Sequence, residues 1–244
     1  MVYMRLLQIS LLISIMMSFT TKEDSYKEHN VQKTLKVRVS QDSTIHYLAL
    51  GDSYTAGTSV RAGKSFPSQL TTCLQKKLER KVKLEVIAKA GWRTDDLLGA
   101  LKSEVLKTSY DVVTICIGVN NHYQKKSFGQ YKKEFPRLLE QAIKLAGGDA
   151  SHVFVISIPD WAYTPFGEKD GRKNISKEID KYNAFAKKTT DERKARFISI
   201  TDLSREGLND ANLVAKDGLH PSGMAYQRFV ERICPSITTV LNRK

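Results

Sequence analysis

Residues 47–57 read YLALGDSYTAG, and within them an apolar run typical of a strand changes to a glycine turn. The run ends at Gly51, the small hydroxyl of Ser53 follows, and Gly57 closes the turn. In an open α/β fold, a strand that ends this way delivers the next side chain to the carboxyl edge of the sheet, where ligands bind. Gly-Asp-Ser is also common in ordinary turns. We interpret Ser53 as a candidate nucleophile, and the rest of the chain decides between these alternatives.

Strand-like and helical patterns alternate outward from this stretch. The apolar strand-like runs are residues 45–50, 82–88, 112–117, 153–158 and 197–200. Five such runs alternating with helical patterns predict a parallel sheet with helices on both faces. The runs are apolar throughout, as a sheet covered on both sides requires. The sequence therefore predicts a three-layer α/β/α domain over residues 45–244, with about five strands in its central sheet.

Two further local patterns bear on this domain. Thr94 is predicted to cap a helix whose first turn carries Asp95 and Asp96, since acidic side chains are favourable at a helix N-terminus. Phe66, Leu70, Cys73, Leu74 and Leu78 share helical spacing and predict another helix.

The N-terminal residues resemble an export signal. Residues 1–20 hold a short cationic start and an apolar core that is too short for a comfortable membrane span, which is typical of a secretory signal. An uncleaved anchor is the alternative. Residues 21–44 form a polar leader, with one edge strand suggested by Leu35, Val37 and Val39. We expect an exported protein, periplasmic or secreted.

The net charge of +13 permits contact with anionic partners. No zinc-finger spacing, RNA-recognition signature or aromatic-interleaved basic stripe favours nucleic acid, so no nucleic-acid partner is predicted. A solvated basic surface is the simpler interpretation, and peripheral contact with anionic membrane or acidic polysaccharide is the alternative. The sequence leaves the oligomeric state open.

Three cysteines are present. Cys73 falls on an apolar helix face and Cys116 within a strand, so both are interpreted as small core residues. With Cys234 the count is odd, which excludes complete internal pairing, and the spacing matches no metal site. One disulfide stays open for an exported protein, and neither a metal nor a cofactor is predicted.

Polar turns follow the predicted strands. Gly51-Asp52-Ser53 follows the first, Gly91 comes after the second, Gly118-Val119-Asn120 follows the third, and the Asp217–His220 turn precedes the last helix. Parallel strands point their carboxyl ends to one edge, so these turns are predicted to converge there.

Acyl transfer by a serine needs a base, an orienting acid and oxyanion donors. His220 is the candidate base for Ser53, and Asp217 is the candidate partner for its other ring nitrogen. The backbone N–H groups of Ser53 and Gly91, with the side-chain amide of Asn120, are the candidate oxyanion donors. Each of these candidates also has a non-catalytic explanation. Asp217 and His220 could form only a hydrogen-bonded turn, Gly91 could only end a strand, and Asn121 could take the place of Asn120.

These four blocks, in this order, resemble the SGNH (GDSL-type) serine hydrolase family, and the similarity extends from about Ile45 to the C-terminus. One departure is Tyr54, which stands where the family name implies leucine. The resemblance implies a flavodoxin-like three-layer fold, a Ser53–His220–Asp217 triad, and an oxyanion hole from Ser53, Gly91 and Asn120. It implies a serine esterase that works through an acyl-enzyme.

The substrate is less clearly indicated. We favour small acyl or acetyl esters, including acetylated carbohydrate. The alternatives are a lysophospholipase or acyl thioesterase acting on long chains, and a non-catalytic module that binds polysaccharide or lipid. Trp161 is the candidate substrate contact, with loop packing as an equal alternative; Tyr123 and Phe166 are predicted mainly to pack. His122 is a further candidate to line the pocket.

Overall fold

Five parallel strands form one sheet in the computed structural model, which describes residues 44–243. In chain order they are β1 (Ile45–Gly51), β2 (Val82–Ala88), β3 (Val112–Cys116), β4 (Val153–Ile156) and β5 (Arg196–Ile198). Every neighbouring pair is parallel. The predicted sheet is therefore confirmed, although the last three strands are shorter than the apolar runs from which they were predicted.

The strand order β2-β1-β3-β4-β5 places a reversal of winding beside β1. The chain passes from β1 to β2 on one side of β1, and β3, β4 and β5 are added on the other side. Gly51 and Cys116 form the last register pair of β1 and β3. In open α/β sheets, ligands bind at the carboxyl ends beside such a reversal. The topology therefore predicts a ligand site at the residues directly after Gly51.

Helices cover the sheet on both sides, which confirms the three-layer prediction. The described residues contain nine α-helices: α1 (Ser53–Ala56), α2 (Phe66–Leu78), α3 (Thr94–Ser103), α4 (Val119–Tyr123), α5 (Phe128–Leu145), α6 (Pro165–Asp170), α7 (Ile175–Glu192), α8 (Thr201–Ser204) and α9 (Gly223–Leu241). Helices α2 and α9 pack on each other, and α5 packs on both α3 and α7. The core between these layers contains the completely apolar, buried β4 and most of β1 and β3.

The edge strand β2 differs from the prediction of apolar strands throughout. Its sequence VKLEVIA alternates, and most of its residues are partly or largely exposed, with Val86 43% exposed. β2 has only β1 as a neighbour, so its outer side is not covered by the sheet. Strand order determines which strand lies at the edge, and the residue pattern of a single strand does not reveal it.

Thr94 does not cap α3, contrary to prediction. It is the first residue of the helix, and Arg93 occupies the N-cap position with an extended backbone. The Arg93 backbone N–H donates to Asp96 Oδ2 at 2.9 Å, so the acidic first turn satisfies the N-cap residue instead. The Thr94 hydroxyl donates to Glu134 Oε2 and thereby ties α3 to α5.

A disulfide joins Cys73 of α2 to Cys234 of α9. Cys73 is therefore more than the small core residue that the sequence predicts, and the open alternative of one disulfide is the correct one. Cys116 is free and buried in β3, as predicted. The bond connects residues 161 positions apart and covalently fixes the helix pair on one side of the sheet.

Replacing Cys73 and Cys234 by serine is expected to destabilise the domain. A disulfide stabilises a protein mainly by restricting the unfolded chain, by about 2–4 kcal/mol in typical cases. For a domain of this size, that loss corresponds to a fall in Tm of roughly 5–15 °C. Thermal unfolding with and without reductant measures it. The double variant should be insensitive to reductant, and an unchanged wild-type Tm under reducing conditions would contradict the prediction.

The predicted N-terminal segments lie outside the described residues. These are the signal peptide or anchor at residues 1–20 and the leader with its edge strand before residue 44. Among residues 44–243, none of the helices has the length and apolar content needed to cross a bilayer.

Candidate active site

Ser53 is the first residue of α1 and lies two residues after Gly51, where β1 ends. Asp52 precedes it, and its Oδ1 accepts a hydrogen bond from the Tyr54 backbone N–H at 3.0 Å. A side chain at Gly51 would collide with Thr55 Oγ1 and with the backbone oxygen of Cys116, so this tight turn requires glycine. The strand, the glycine and the cap together hold Ser53 at the carboxyl end of the sheet, where it is 6% exposed.

Gly91 lies in the turn after β2 and has a φ of +83°. The Trp92 backbone N–H donates to the Lys89 carbonyl oxygen at 3.1 Å and closes this turn. A Cβ at Gly91 would meet no protein atom within 4 Å, so the constraint there is conformational rather than steric. Gly91 therefore does more than end a strand, because its backbone also forms part of the pocket wall.

Asn120 and Asn121 have different partners. One Asn120 Nδ2 hydrogen bond goes to the Trp92 carbonyl oxygen at 3.0 Å, and Asn120 lines the pocket. Asn121 is completely buried; its Oδ1 accepts from the Thr94 backbone N–H at 3.1 Å, and its Nδ2 donates to Thr94 Oγ1 at 2.7 Å. Both ends of the Asn121 amide are thus committed to α3. The alternative that Asn121 takes the place of Asn120 has no support in this arrangement.

Asp217 and His220 form a close pair in the turn before α9. His220 Nδ1 lies 2.6 Å from Asp217 Oδ2, and Asp217 Oδ1 accepts from the backbone N–H groups of Leu219 and His220, each at 3.0 Å. The turn is therefore held by local hydrogen bonds, as one alternative supposed. The same bonds orient the imidazole, so the local explanation and the catalytic one are compatible.

Asp217 is held in its ionised form. Burial would raise its pKa, but hydrogen bonds from Ser59, from His220 and from two backbone N–H groups outweigh burial and keep the pKa of Asp217 well below its usual range. A carboxylate that stays charged can accept from His220 Nδ1–H and stabilise the imidazolium form.

Asp52 has the opposite electrostatic situation. It is buried beside Ser53, and among the described residues no hydrogen-bond partner reaches its Oδ2. Burial raises the pKa of Asp52 to about 7, although a hydrogen bond from the Tyr54 backbone opposes the shift. Asp52 and Asp217 are therefore expected to titrate far apart.

Ser53, Gly91, Asn120 and His220 all line one pocket of about 270 Å³. Four residues predicted from separate turns are thus brought to one place, with Asp217 attached to His220. The other lining residues are mainly apolar: Tyr54, Ala90, Val119, Tyr123, Trp161, Phe166 and Leu219. The pocket combines a hydroxyl, an imidazole and amide donors with an apolar wall, which suits the acyl part of an ester.

Trp161 both packs and lines the pocket. It is 2% exposed, its ring contacts Tyr123 and Phe166 at 5.4 and 6.2 Å between centroids, and its Nε1–H donates to His122 Nδ1 at 3.4 Å. Its contact with a substrate stays a prediction. His122 is not among the residues that line this pocket, and burial followed by the charge of Arg172 lowers the pKa of His122.

Tyr123 and Phe166, which the sequence predicts mainly to pack, both line the pocket, and Ser59 has a contact that the sequence does not predict. Tyr123 was expected mainly to pack, yet it is 37% exposed and lines the pocket beneath the Arg172 guanidinium, 4.6 Å from its ring centroid. No sequence pattern indicates a role for Ser59, and its hydroxyl donates to Asp217 Oδ2 at 2.5 Å. The aromatic character of Tyr123 was a usable signal, whereas nothing in the local sequence around Ser59 points to Asp217.

Known proteins resemble this chain in sequence and in fold. The GDSL-like lipase/acylhydrolase family matches residues 49–228. The uncharacterised protein YpmR of Bacillus subtilis (strain 168) is 24% identical over 238 residues, which cover 89% of this chain and 88% of YpmR.

Solved structures share the fold at low identity. Axe2, an acetylxylan esterase from Geobacillus stearothermophilus, has a TM-score of 0.63 at 19% identity, covering 80% of this chain and 94% of Axe2. LAE5, an α/β hydrolase from the metagenome of Lake Arreo in Spain, has a TM-score of 0.61 at 15% identity, covering 81% and 98%. The structural likenesses support the fold, and the sequence match spans most of the chain. The protein thus belongs to the GDSL-like lipase/acylhydrolase family of ester-hydrolysing enzymes, which confirms the resemblance found in its sequence.

Proposed function

We propose that the protein is an exported serine esterase that removes small acyl groups, acetyl above all, from oxygen esters through an acyl-enzyme on Ser53. The observation that carries this proposal is the pocket that Ser53 shares with His220, Gly91 and Asn120, with Asp217 bound to the far side of the imidazole. A serine hydroxyl is a weak nucleophile until a neighbouring base takes its proton, and His220 is the base available in this pocket.

Acylation follows from these positions. Ser53 Oγ bonds to the ester carbonyl carbon while its proton passes to His220 Nε2, and the carbonyl π electrons move onto oxygen. The oxyanion accepts hydrogen bonds from the Ser53 and Gly91 backbone N–H groups and from Asn120. When the carbonyl re-forms, the alcohol oxygen leaves with its bonding pair and takes the proton from His220.

Deacylation repeats the sequence with water. His220 removes a proton from a water molecule, whose oxygen bonds to the acyl carbon, and Ser53 Oγ then leaves and recovers its proton. The Nδ1–Oδ2 hydrogen bond at 2.6 Å keeps the Nδ1 proton towards Asp217, so that Nε2 is free to accept in both halves.

A small acyl group is favoured by the size and lining of the pocket. The pocket measures about 270 Å³, and Trp161, Tyr123 and Phe166 pack against one another along its apolar wall. Axe2, which shares the fold, is an acetylxylan esterase, and the exposed Tyr123 ring suits stacking on a sugar.

A series of p-nitrophenyl esters from acetate to dodecanoate tests the acyl preference. We expect kcat/KM to be highest for acetate to butyrate and to fall with longer chains, because a pocket of about 270 Å³ suits a short acyl group. A steep rise towards long chains would contradict this and favour the lysophospholipase or thioesterase alternative, which the apolar wall and the net charge of +13 support. Membership of an enzyme family argues against the non-catalytic module.

Export is supported by two separate features. Residues 1–20 have the pattern of a secretory signal, and disulfides such as Cys73–Cys234 persist mainly in oxidising compartments. The net charge of +13 further supports peripheral contact with an anionic membrane or an acidic polysaccharide, which salt-dependent retention on such surfaces would test.

Replacing Asn120 by alanine is expected to lower kcat by roughly a hundred- to a thousandfold, the usual cost of removing one oxyanion donor. Steady-state kinetics on p-nitrophenyl acetate measure the loss. Asn121→Ala is the matched comparison: it breaks the buried contacts to Thr94, so its main effect is expected on Tm. A loss below tenfold in Asn120→Ala would remove this amide from the oxyanion hole.

A further inference from the structure

The Asp217 carboxylate accepts hydrogen bonds on both oxygens. Oδ1 receives the backbone N–H groups of Leu219 and His220, and Oδ2 receives His220 Nδ1 at 2.6 Å. Those three donors belong to the same turn as the carboxylate. The fourth, the Ser59 hydroxyl at 2.5 Å from Oδ2, comes from a distant part of the sequence. An ionised carboxylate has about four acceptor positions, so Ser59 completes the set.

Ser59 belongs to the segment that also carries the nucleophile. The Ser53 carbonyl oxygen accepts from the backbone N–H groups of Gly57 and Thr58, at 3.0 and 3.1 Å, so the loop turns back over α1 directly before Ser59. Ser59 itself has a φ of +66°, which non-glycine residues seldom adopt. One short segment thus holds Ser53 at its start and a donor to Asp217 at its end.

We propose that Ser59 is a positioning residue, which orients the Asp217 carboxylate and sets how strongly it acts on His220. This inference rests on the proposed function. The Ser59 hydrogen bond withdraws part of the negative charge from the Asp217 oxygen that faces Nδ1, so Asp217 stabilises an imidazolium less strongly than an unshared carboxylate would. It also stops the carboxylate from rotating away from the imidazole, although the turn is partly open to solvent.

Loss of the Ser59 hydroxyl therefore has two expected effects. The kcat falls by roughly ten- to a hundredfold, the range found when a hydrogen-bond partner that orients a metal-binding side chain is removed. The acid limb of the kcat/KM profile moves to higher pH, because an Asp217 oxygen with more charge favours protonated His220. If Ser59 served only folding, its loss would lower kcat only by destabilising the protein. It would not shift the acid limb of the kcat/KM profile.

Other charged groups near Asp217 and His220 can also affect the pH profile. The Tyr54 ring lies 5.8 Å from the His220 ring between centroids, and Asp52 and Asp160 also act electrostatically on Tyr54. Three basic residues, Arg61, Lys64 and Lys216, line the pocket of about 560 Å³ on which Ser59 borders. Burial raises the pKa of Asp52 to about 7, so the pH profiles are also recorded in the Asp52→Asn background, which removes this titrating group.

The decisive variants are Ser59→Ala and Ser59→Gly. Both remove the hydroxyl, but only glycine adopts a positive φ without strain. We expect both to lose a similar factor in kcat and to shift the acid limb upward, while Tm is lower in Ser59→Ala than in Ser59→Gly, because glycine relieves the strain of the positive φ. Ser59→Asn keeps a donor and tolerates this φ, so it should recover part of the kcat. Ser65→Ala is the control from the same loop; its hydroxyl bonds Ser68, and it should leave both readouts unchanged.

The outcomes separate this inference from the proposed function. Normal kcat and an unshifted acid limb in Ser59→Gly, with an active wild type that a fluorophosphonate labels at Ser53, would overturn the role of Ser59 alone. A defect that follows Tm, present in the alanine variant and absent in the glycine variant, would overturn it as well. A wild type that neither hydrolyses esters nor reacts with the probe would overturn both.

Discussion

Ser53→Ala is expected to lower kcat for p-nitrophenyl acetate by about a millionfold, the loss found when a catalytic serine is removed. The physical reason is that the acyl-enzyme no longer forms, so only the oxyanion donors and substrate binding remain. The alanine fits the start of α1 without loss of a hydrogen bond on which the cap depends, because Asp52 Oδ1 bonds the Tyr54 backbone. Fold and Tm should therefore be preserved.

Steady-state kinetics, supported by pre-steady-state measurement of the nitrophenol burst, test this result. Wild type is expected to show a burst that corresponds to acylation of Ser53, and the variant none. Ser59 is unsuitable as a control because it contacts Asp217, whereas Ser151→Ala, in the short 3-10 helix that precedes β4 at the amino end of the sheet, should retain full activity. Full activity in Ser53→Ala would end the proposed mechanism.

Asp217→Asn is expected to have the second-largest effect, a fall in kcat of about ten-thousandfold. An amide has no charge with which to stabilise the imidazolium, and its N–H group can face Nδ1 and favour the wrong tautomer of His220. The side chain keeps its size, so the turn that holds the Leu219 and His220 N–H groups should survive.

Kinetics at several pH values measure this effect. Hydrogen bonds hold the pKa of Asp217 well below its usual range, so Asp217 stays ionised until the pH falls far below the ordinary aspartate pKa. The stability that ionised Asp217 contributes to the fold is therefore present above the ordinary aspartate pKa and is lost only at much lower pH. The acid limb of activity should therefore not arise from Asp217. Asp191→Asn, which breaks a surface ion pair with Lys187, is the control and should change kcat little. A loss below a hundredfold in Asp217→Asn would contradict the triad.

The sheet and most of the site could be predicted because each depends on local sequence. An apolar run followed by Gly51 encodes the end of β1, and the other polar turns follow their strands in the same way. Since all five strands are parallel, their carboxyl ends share one edge whatever the strand order. The convergence of Ser53, Gly91, Asn120 and His220 on one pocket therefore needed no knowledge of packing.

The features that sequence missed depend on three-dimensional neighbours. Cys73 and Cys234 pair because α2 and α9 lie side by side, and neither helix carries a local sign of the other. β2 has an exposed pattern because it is an edge strand. Ser59 reaches Asp217 only because the loop after α1 turns back over the Ser53 carbonyl. In each case the local sequence permits the contact, and the fold supplies the partner.

Labelling with a fluorophosphonate probe, followed by peptide mass mapping, shows whether Ser53 is the nucleophile. The probe reacts with a serine whose hydroxyl is activated by a base. We expect one adduct per molecule, on Ser53, absent in Ser53→Ala and formed far more slowly in His220→Ala. An adduct on another residue, or ester hydrolysis by a wild-type protein that the probe does not modify, would contradict it.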